Sequence, residues 1–446
     1  MRSLALAIEM ATLLGLGCVR PFVGVLLWEW ISFMDPHQLV YGFAAGLPWG
    51  LLSFAAIVIG CLVAREPRRI AVNNTTIMVM LFIFCISVTS LTAMAPGALV
   101  FDKWESVAKG FVVVVLTASL LTDRKRIHAL VWMVAISLGY YGVKGGVFAI
   151  ASGGSSRVFG PPSSMIADNN HLAAAMLVAL PLMNYLRLQS AHRLVRSGIA
   201  AAMALTVLSV LASYSRGALL GLGVMVLFLW WNTPNKIGFG VVLAVVVAGG
   251  IAFMPESWMD RMHTIQTYQE DASANDRLTM WSTAWKLALA HPLTGSGFMG
   301  PYVRYVVDTV DPSSPARAVH SIWFETLGEH GFPTLFVWFG ITLTGLYNCH
   351  RLLRITGKRA DLRWAYDLAK MVQVSIPVYL VAGSFLSLCY WEVYPTILVA
   401  VAAARMQVMA TLRREARAAQ RGLSGALPEE ADMLPGRRSL PAPAIA

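Results

Sequence analysis

Residues 199–231 read IAAAMALTVLSVLASYSRGALLGLGVMVLFLWW, two apolar runs that share a single charge, Arg216. Each run approaches the length a bilayer-crossing helix needs, about 17–25 residues. The link Ser213-Tyr214-Ser215-Arg216 is too short to be a domain, so the chain turns back there and leaves an arginine at the membrane boundary. The same signature recurs along the chain. Hydropathy places helices near 43–63, 74–93, 106–121, 127–151, 170–187, 197–213, 217–231, 236–253, 320–347, 371–389 and 394–410. Residues 4–33 are either one broken span or two short ones flanking Arg20-Pro21, and one irregular span is preferred. The expected fold is therefore an all-α polytopic integral membrane protein of about twelve transmembrane helices. Residues 1–253 and 320–412 form two transmembrane blocks, separated by an outward loop at 254–319 and followed by a disordered basic tail at 413–446.

Composition agrees. The 446 residues are 57% hydrophobic and 13% charged, against about 45–50% and 25% in soluble domains, and the mean hydropathy is +0.62. An ordinary soluble enzyme is excluded. The five cysteines (Cys18, Cys61, Cys85, Cys349, Cys389) lie in or beside apolar runs without metal-ligand spacing. Glu9 and the lack of an Ala-x-Ala site argue against a cleavable signal peptide, and no internal repeat is visible, which disfavours inverted-repeat transporters. The net charge of +11 is mostly topology. Twenty-three of the 35 basic residues, Arg65, Arg68 and Arg69 among them, fall in alternate loops and the tail, which assigns that side to the cytoplasm. Nucleic acid is not an expected partner; membrane lipids are.

Few polar groups remain on the outward side, and each charge at a membrane boundary is a functional candidate. Arg216 is either a snorkelling helix-end arginine or a permanent cation suited to phosphate. In Asn275-Asp276-Arg277-Leu278-Thr279-Met280-Trp281, Asn275 is a plausible N-cap, and Leu278, Trp281, Trp285 and Leu289 recur at helical spacing. This predicts an amphipathic helix whose first turn holds Arg277 against the helix dipole. The alternative is a surface ion pair with Asp276 or Asp271. His320 opens the next span ahead of Trp323, Glu325 and Glu329; its imidazole could accept a hydroxyl proton. Lys144 lies among Gly142, Gly145 and Gly146, which would let a ligand approach, or it pairs with Glu9, Glu29 or Glu392. Asp168 and Asn169 read as N-caps, and His171 stays open. There is no metal-ligand pattern, P-loop or dinucleotide fingerprint, so neither a metal nor a cofactor is expected.

These residues carry a resemblance. The order Ser215-Arg216-Gly217-Ala218-Leu219-Leu220, Arg277 with Trp281 and Ala284, Pro292 with Gly295-x-Gly297, then His320 and Glu329-x-Gly331 resembles the O-antigen ligase and polymerase superfamily of bacterial envelope enzymes. Tyr141–Gly146 and Asp168–Ala173 are similar to the exosortase-associated O-glycosylation ligase branch. Ser321 departs from the asparagine many members carry after the histidine. The resemblance implies a metal-independent, inverting glycosyltransferase of GT-C-like fold in the bacterial inner membrane, its active site facing the periplasm. It would move a glycan from undecaprenyl diphosphate to lipid A core, with Arg216 and Arg277 on the diphosphate and His320 at the acceptor. Lys144, His171, Trp281 and Glu325 are expected to help bind substrate. A polymerase or a protein O-glycosylation ligase is the nearest alternative, and a lipid-linked glycan flippase is the alternative outside enzyme chemistry.

Overall fold

The computed structural model describes residues 1–66, 72–231, 233, 235–263 and 272–420. Arg68, Arg69, Asp271 and residues 421–446 of the expected tail lie outside them. All regular structure among the described residues is helical. In chain order the helices are α1 (Arg2–Val19), α2 (Pro21–Met34), α3 (Trp49–Val63), α4 (Asn74–Leu91), α5 (Gly97–Leu120), α6 (Arg124–Ala151), α7 (Asn169–Gln189) and α8 (Arg193–Leu211). There follow α9 (Arg216–Trp231), α10 (Lys236–Phe253), α11 (Glu256–His263), α12 (Ala272–Ala290), α13 (Arg304–Val307), α14 (Ile322–Thr356), α15 (Arg363–Gly383) and α16 (Val393–Gln420). Six described helices, α1, α4, α6, α7, α8 and α16, are long and apolar enough to cross a membrane, and α2, α3, α9 and α10 are shorter apolar helices.

Several helices outrun their hydropathy windows. α5 begins at Gly97, α14 continues to Thr356, α15 occupies 363–383 and α16 extends to Gln420, into the expected tail. Local hydrogen bonding carries helix through polar sequence that a hydropathy window discounts. Asp123 caps α6 by accepting from the Arg126 N–H at 3.0 Å. Lys109–Glu105 and Arg363–Asp367 are i,i+4 pairs at 3.1 and 3.0 Å.

Residues 2–34 form two helices, not one irregular span. Pro21 starts α2 after a one-residue break at Arg20, and α2 folds back on α1 so that Leu6 and Met10 share an apolar cluster with Leu27 and Ile31. Glycines permit the close approach: a Cβ on Gly17 would sit 3.0 Å from the Gly24 Cα, and one on Gly60 would sit 2.4 Å from the Gly17 carbonyl oxygen.

α7 is the central post, buried continuously from Leu172 to Met183 and packed on α6, α8, α9 and α15. By contrast α8, α9 and α10 present Leu194, Leu220, Leu227, Ile237, Val241 and Val245 outward, surfaces that suit lipid. Polar groups collect at the two ends of the bundle. At one, Arg126 pairs with Glu66, which also accepts the Phe22 N–H at 3.2 Å, and Gln189 donates to Asp367 at 2.9 Å. At the other, Asn169 reaches the 212–216 turn and the Met94 N–H donates to the Ser296 carbonyl at 2.9 Å. α2 starts at the first end, so the hairpin returns the beginning of α1 towards the second.

Candidate functional site

The α8–α9 turn is built by its own side chains. The Ser213 hydroxyl donates to the Val210 carbonyl at 2.6 Å, Tyr214 adopts φ +58°, and Ser215 Oγ accepts the Ala218 N–H at 3.2 Å. Ser215 is thereby the N-cap of α9 and Arg216 its first residue. Asn169 Nδ2 donates to the Ser213 carbonyl at 2.7 Å, and the Tyr214 hydroxyl donates to the Gly154 carbonyl at 2.8 Å. Asn169 is thus a strut holding α7 to the turn, while Asp168 does the capping through the Asn170 N–H at 2.8 Å.

α12 differs from its expected form at its start. It begins at Ala272, so Asn275 is inside the helix, where its carbonyl accepts the Thr279 hydroxyl at 3.0 Å. Arg277 consequently lies in the second turn, and the argument from an unfavourable helix dipole falls away. Asp276 pairs with Arg317 at 2.6 Å. The larger apolar residues lie mostly on the outer face. Leu278, Trp285 and Leu289 are 48%, 45% and 56% exposed, while Met280, Ala284, Leu287 and Ala288 are buried. Small residues turn inward because α14 comes close: a Cβ on Gly328 would lie 2.9 Å from the Ala284 Cβ.

The segment after α12 locks into a kink in α14. Gly331 there has φ +74° and ψ −177°. The Ser296 and Gly297 N–H groups donate to the Gly328 and Glu329 carbonyls at 2.9 and 2.8 Å, and the Phe332 N–H donates to the Pro292 carbonyl at 2.9 Å. Gly297, at φ +74°, would place a Cβ 2.2 Å from the Ala93 Cβ. The Gly-x-Gly and Glu-x-Gly pairs of the sequence are the two halves of this joint. Glu329 completes it, accepting the Met299 N–H at 2.9 Å and the Tyr390 hydroxyl.

Between these units lies a cavity of about 300 Å³. Ser215 and Arg216 line it from α9, Arg261 from α11, Arg277 and Trp281 from α12, and Asn170 from α7. Leu220, Leu278, Phe385 and Leu386 supply its apolar wall. Three guanidiniums and no carboxylate line it among the described residues. Trp281 also braces the neighbouring loop: its indole stacks on Phe324 at 5.3 Å and donates to the Val319 carbonyl at 3.1 Å.

His320 follows Val319 directly. Its φ is +52°, its N–H donates to Ser387 Oγ at 3.0 Å, and its Nδ1 is buried without a hydrogen-bond partner among the described residues. Such backbone strain in a non-glycine residue costs of order 1–3 kcal/mol and is kept where the surroundings enforce it. Its ring lies 6.4 Å from that of His171, whose Nδ1 is 3.3 Å from Asp168 Oδ1. Burial, then Arg277 and His171, hold the His320 pKa down at about 4, so the imidazole is neutral at physiological pH. Asp168 goes the other way: burial favours its acid form, but hydrogen bonds from His171 and Asn170 outweigh it and keep the carboxyl well below its usual range.

Arg216, Arg277 and Trp281 thus meet in one cavity, with His320 and His171 beside it. Two expected residues do not join them. Glu325 is buried inside the bundle, accepting from the Cys389 thiol at 3.1 Å and the Tyr302 hydroxyl at 3.4 Å. Lys144 is exposed on α6, and Glu392 takes its hydrogen bonds from Trp28 and Ser32 instead. The glycines around Lys144 let α8 approach: Cβ atoms on Gly142 and Gly145 would lie 2.2 and 2.1 Å from the Thr206 and Ser209 hydroxyl oxygens of α8. Arg261 carries no motif and was visible in the sequence only as one of ten cations on the outward side. Among the described residues no group of three His, Cys, Asp or Glu could hold a metal ion.

Residues 201–339, which contain Arg216, Arg261, Arg277 and His320, match a family model described as O-antigen ligase. Residues 1–191 match a family of unknown function, DUF5935. No curated protein matches the chain.

Proposed function

We propose, for a chain whose residues 201–339 match the O-antigen ligase family model, that it is a member of that superfamily and transfers a glycan from undecaprenyl diphosphate to the sugar of lipid A core without a metal. The observation that carries this reading is the convergence of Arg216 and Arg277, from helices far apart in sequence, on one cavity beside a neutral His320.

Transfer breaks the bond between the anomeric carbon and the diphosphate oxygen, and the electron pair leaves with the diphosphate. Arg216 and Arg277 donate charge-assisted hydrogen bonds to its oxygens and stabilise the charge that accumulates there. The acceptor hydroxyl attacks from the opposite face, with inversion, and its proton passes to His320. A pKa of about 4 makes the imidazole a weak base. The bound diphosphate offsets Arg277, one of the causes of that depression, so donor binding itself raises the basicity of His320. Trp281 and His171 frame the acceptor side. The apolar wall and the lipid-facing helices hold the carrier chain, so the lipid need not leave the bilayer.

In this reading the end bearing most basic residues is cytoplasmic and the cavity opens at the periplasmic end, in the inner membrane. The α1–α2 hairpin then adds one crossing to the expected twelve. Ser155→Cys should react with an impermeant thiol reagent on intact cells and Gly357→Cys only after permeabilisation; the reverse pattern overturns the orientation.

The function is tested with purified protein in liposomes that hold carrier-linked glycan and core-bearing lipid A, without ATP or added metal. Glycan on lipid A is expected, and Arg216→Ala, Arg277→Ala and His320→Ala should abolish it while still inserting. Longer carrier-linked chains would make the protein a polymerase, a labelled protein acceptor a glycoprotein ligase, and vectorial movement with no new bond a transporter.

A further inference from the structure

The peptide that joins Val319 to His320 is held at both ends. Its carbonyl, on Val319, accepts the Trp281 indole N–H at 3.1 Å, and its N–H, on His320, donates to Ser387 Oγ at 3.0 Å. The two anchors come from different elements, Trp281 from α12 and Ser387 from the link between α15 and α16. Each is fixed in turn. Trp281 stacks on Phe324 and lies 6.1 Å from the Phe385 ring. Ser387 is hydrogen-bonded to Glu325 and Tyr302. The Glu325 carboxyl is buried and also receives the Tyr302 hydroxyl at 3.4 Å and the Cys389 thiol at 3.1 Å.

Polarity makes this clamp directional. An indole N–H is a donor only, so it can hold a carbonyl but not an N–H. A serine hydroxyl can serve either way, but one that gives its hydrogen to Glu325 presents Oγ as an acceptor, which suits an N–H. Turning the peptide over would set its N–H against the indole N–H. The orientation that remains, joined to the start of α14, leaves His320 at φ +52°, a region that residues other than glycine seldom occupy.

We propose that Ser387, backed by Glu325, is a positioning residue for His320: together with Trp281 it fixes the 319–320 peptide and so holds the imidazole in place beside the cavity. This rests on the transferase reading above, in which His320 takes the acceptor proton. Glu325 thus reaches the reaction through Ser387 and the backbone, without touching substrate. Trp281 has two roles, since it lines the cavity and also holds the Val319 carbonyl. A strained backbone persists only while its surroundings enforce it. Removing one anchor therefore lets the ring leave its place, with loss of turnover and not of donor binding.

The test uses the full-length protein in liposomes with carrier-linked glycan and core-bearing lipid A. Ser387→Ala should lower kcat about tenfold with donor KM within about twofold. Ser387→Thr, which keeps the hydroxyl, should recover most of that loss. The pH profile separates positioning from stability. Burial is the largest cause that holds the His320 pKa at about 4, followed by Arg277 and His171, with Arg317 adding to it and Asp168 opposing. A ring that has left its place returns towards its ordinary value, so kcat/KM of Ser387→Ala should fall about tenfold between about pH 7 and 5.5, where wild type stays level. Trp281→Phe, which removes the N–H but keeps a ring against Phe324, carries the same comparison if Ser387→Ala fails to insert. A lower thermal midpoint with kcat and the level pH profile retained, or a rise in donor KM alone, overturns the proposal. Failure of the underlying reading looks different: wild type would then form no glycosidic bond, or His320→Ala would transfer at full rate.

Discussion

The two ends of the bundle are both rich in arginine, and they place it differently. At the end away from the cavity three arginines are closed by carboxylates: Arg126 with Glu66, Arg359 with Asp361 and Glu415, Arg363 with Asp367. At the cavity, Arg216, Arg261 and Arg277 share a lining that contains no acid among the described residues. Guanidinium content alone therefore separates nothing; whether the arginines line a cavity does. A pair within the bundle holds helices in register, whereas arginines gathered at a cavity present donors to an anion that enters it.

The sharpest way to break this contrast is to neutralise one arginine at each end. Arg277→Ala should cost about 3 kcal/mol of transition-state stabilisation, at least a hundredfold in kcat measured on inserted protein. Arg126→Ala should leave kcat per folded molecule unchanged but lower the thermal midpoint. It strands Glu66 in a site where both side chains are 15% exposed, at a cost of about 3 kcal/mol. Gly297→Ala tests the joint between α12 and α14. It must accept φ +74° and a contact with Ala93, and should reduce both stability and rate by the equivalent of about 1–3 kcal/mol, read by thermal unfolding and initial rates together.

A pH profile sharpens the comparison further. His320 must be neutral to take a proton, and a pKa near 4 keeps it neutral as the medium is acidified. Between pH 7 and 5.5, kcat/KM should hold within about twofold, whereas an imidazole at its ordinary 6.5 would lose about tenfold. The acid limb appears only as pH falls towards 4, and in kcat it should lie higher because the bound diphosphate offsets Arg277. The smallest expected changes are for Lys144→Ala and Arg359→Ala. Both groups lie outside the cavity lining, and each substitution should shift rate by less than about twofold and stability by less than about 1 kcal/mol.

Helices were legible in the sequence wherever apolar length alone decides them, as in α4, α7, α8, α9 and α10. Ends set by caps and i,i+4 pairs were not, because hydropathy is blind to Asp123 or to Arg363–Asp367. The residues of the cavity were partly legible. Arg216, Arg277 and His320 stood out as charged or titratable groups at membrane boundaries, where retaining such a group is costly. Arg261 did not, since a cation in an eight-residue helix of a polar loop has nothing local to distinguish it. Glu325 and Lys144 lie away from the cavity lining, which the sequence could not show, because a helical residue's neighbours in sequence do not reveal which of its faces meets another helix. α12 is the clearest case, where the larger Leu278, Trp285 and Leu289 lie outward and the smaller Ala284 and Ala288 inward.

That arrangement bears on how the protein can be divided. Residues 254–319 look in sequence like a separable insertion, but α12 has two apolar faces with two different owners, one belonging to α14 and one turned outward. Excised, the segment loses both together, along with the kink that receives Gly295 to Gly297. Grafting it onto another scaffold would carry Arg277 without the wall that aims it. The cavity is thus a property of the assembled chain: exchange of substrate preference between relatives should work by swapping side chains around it, not by swapping the loop.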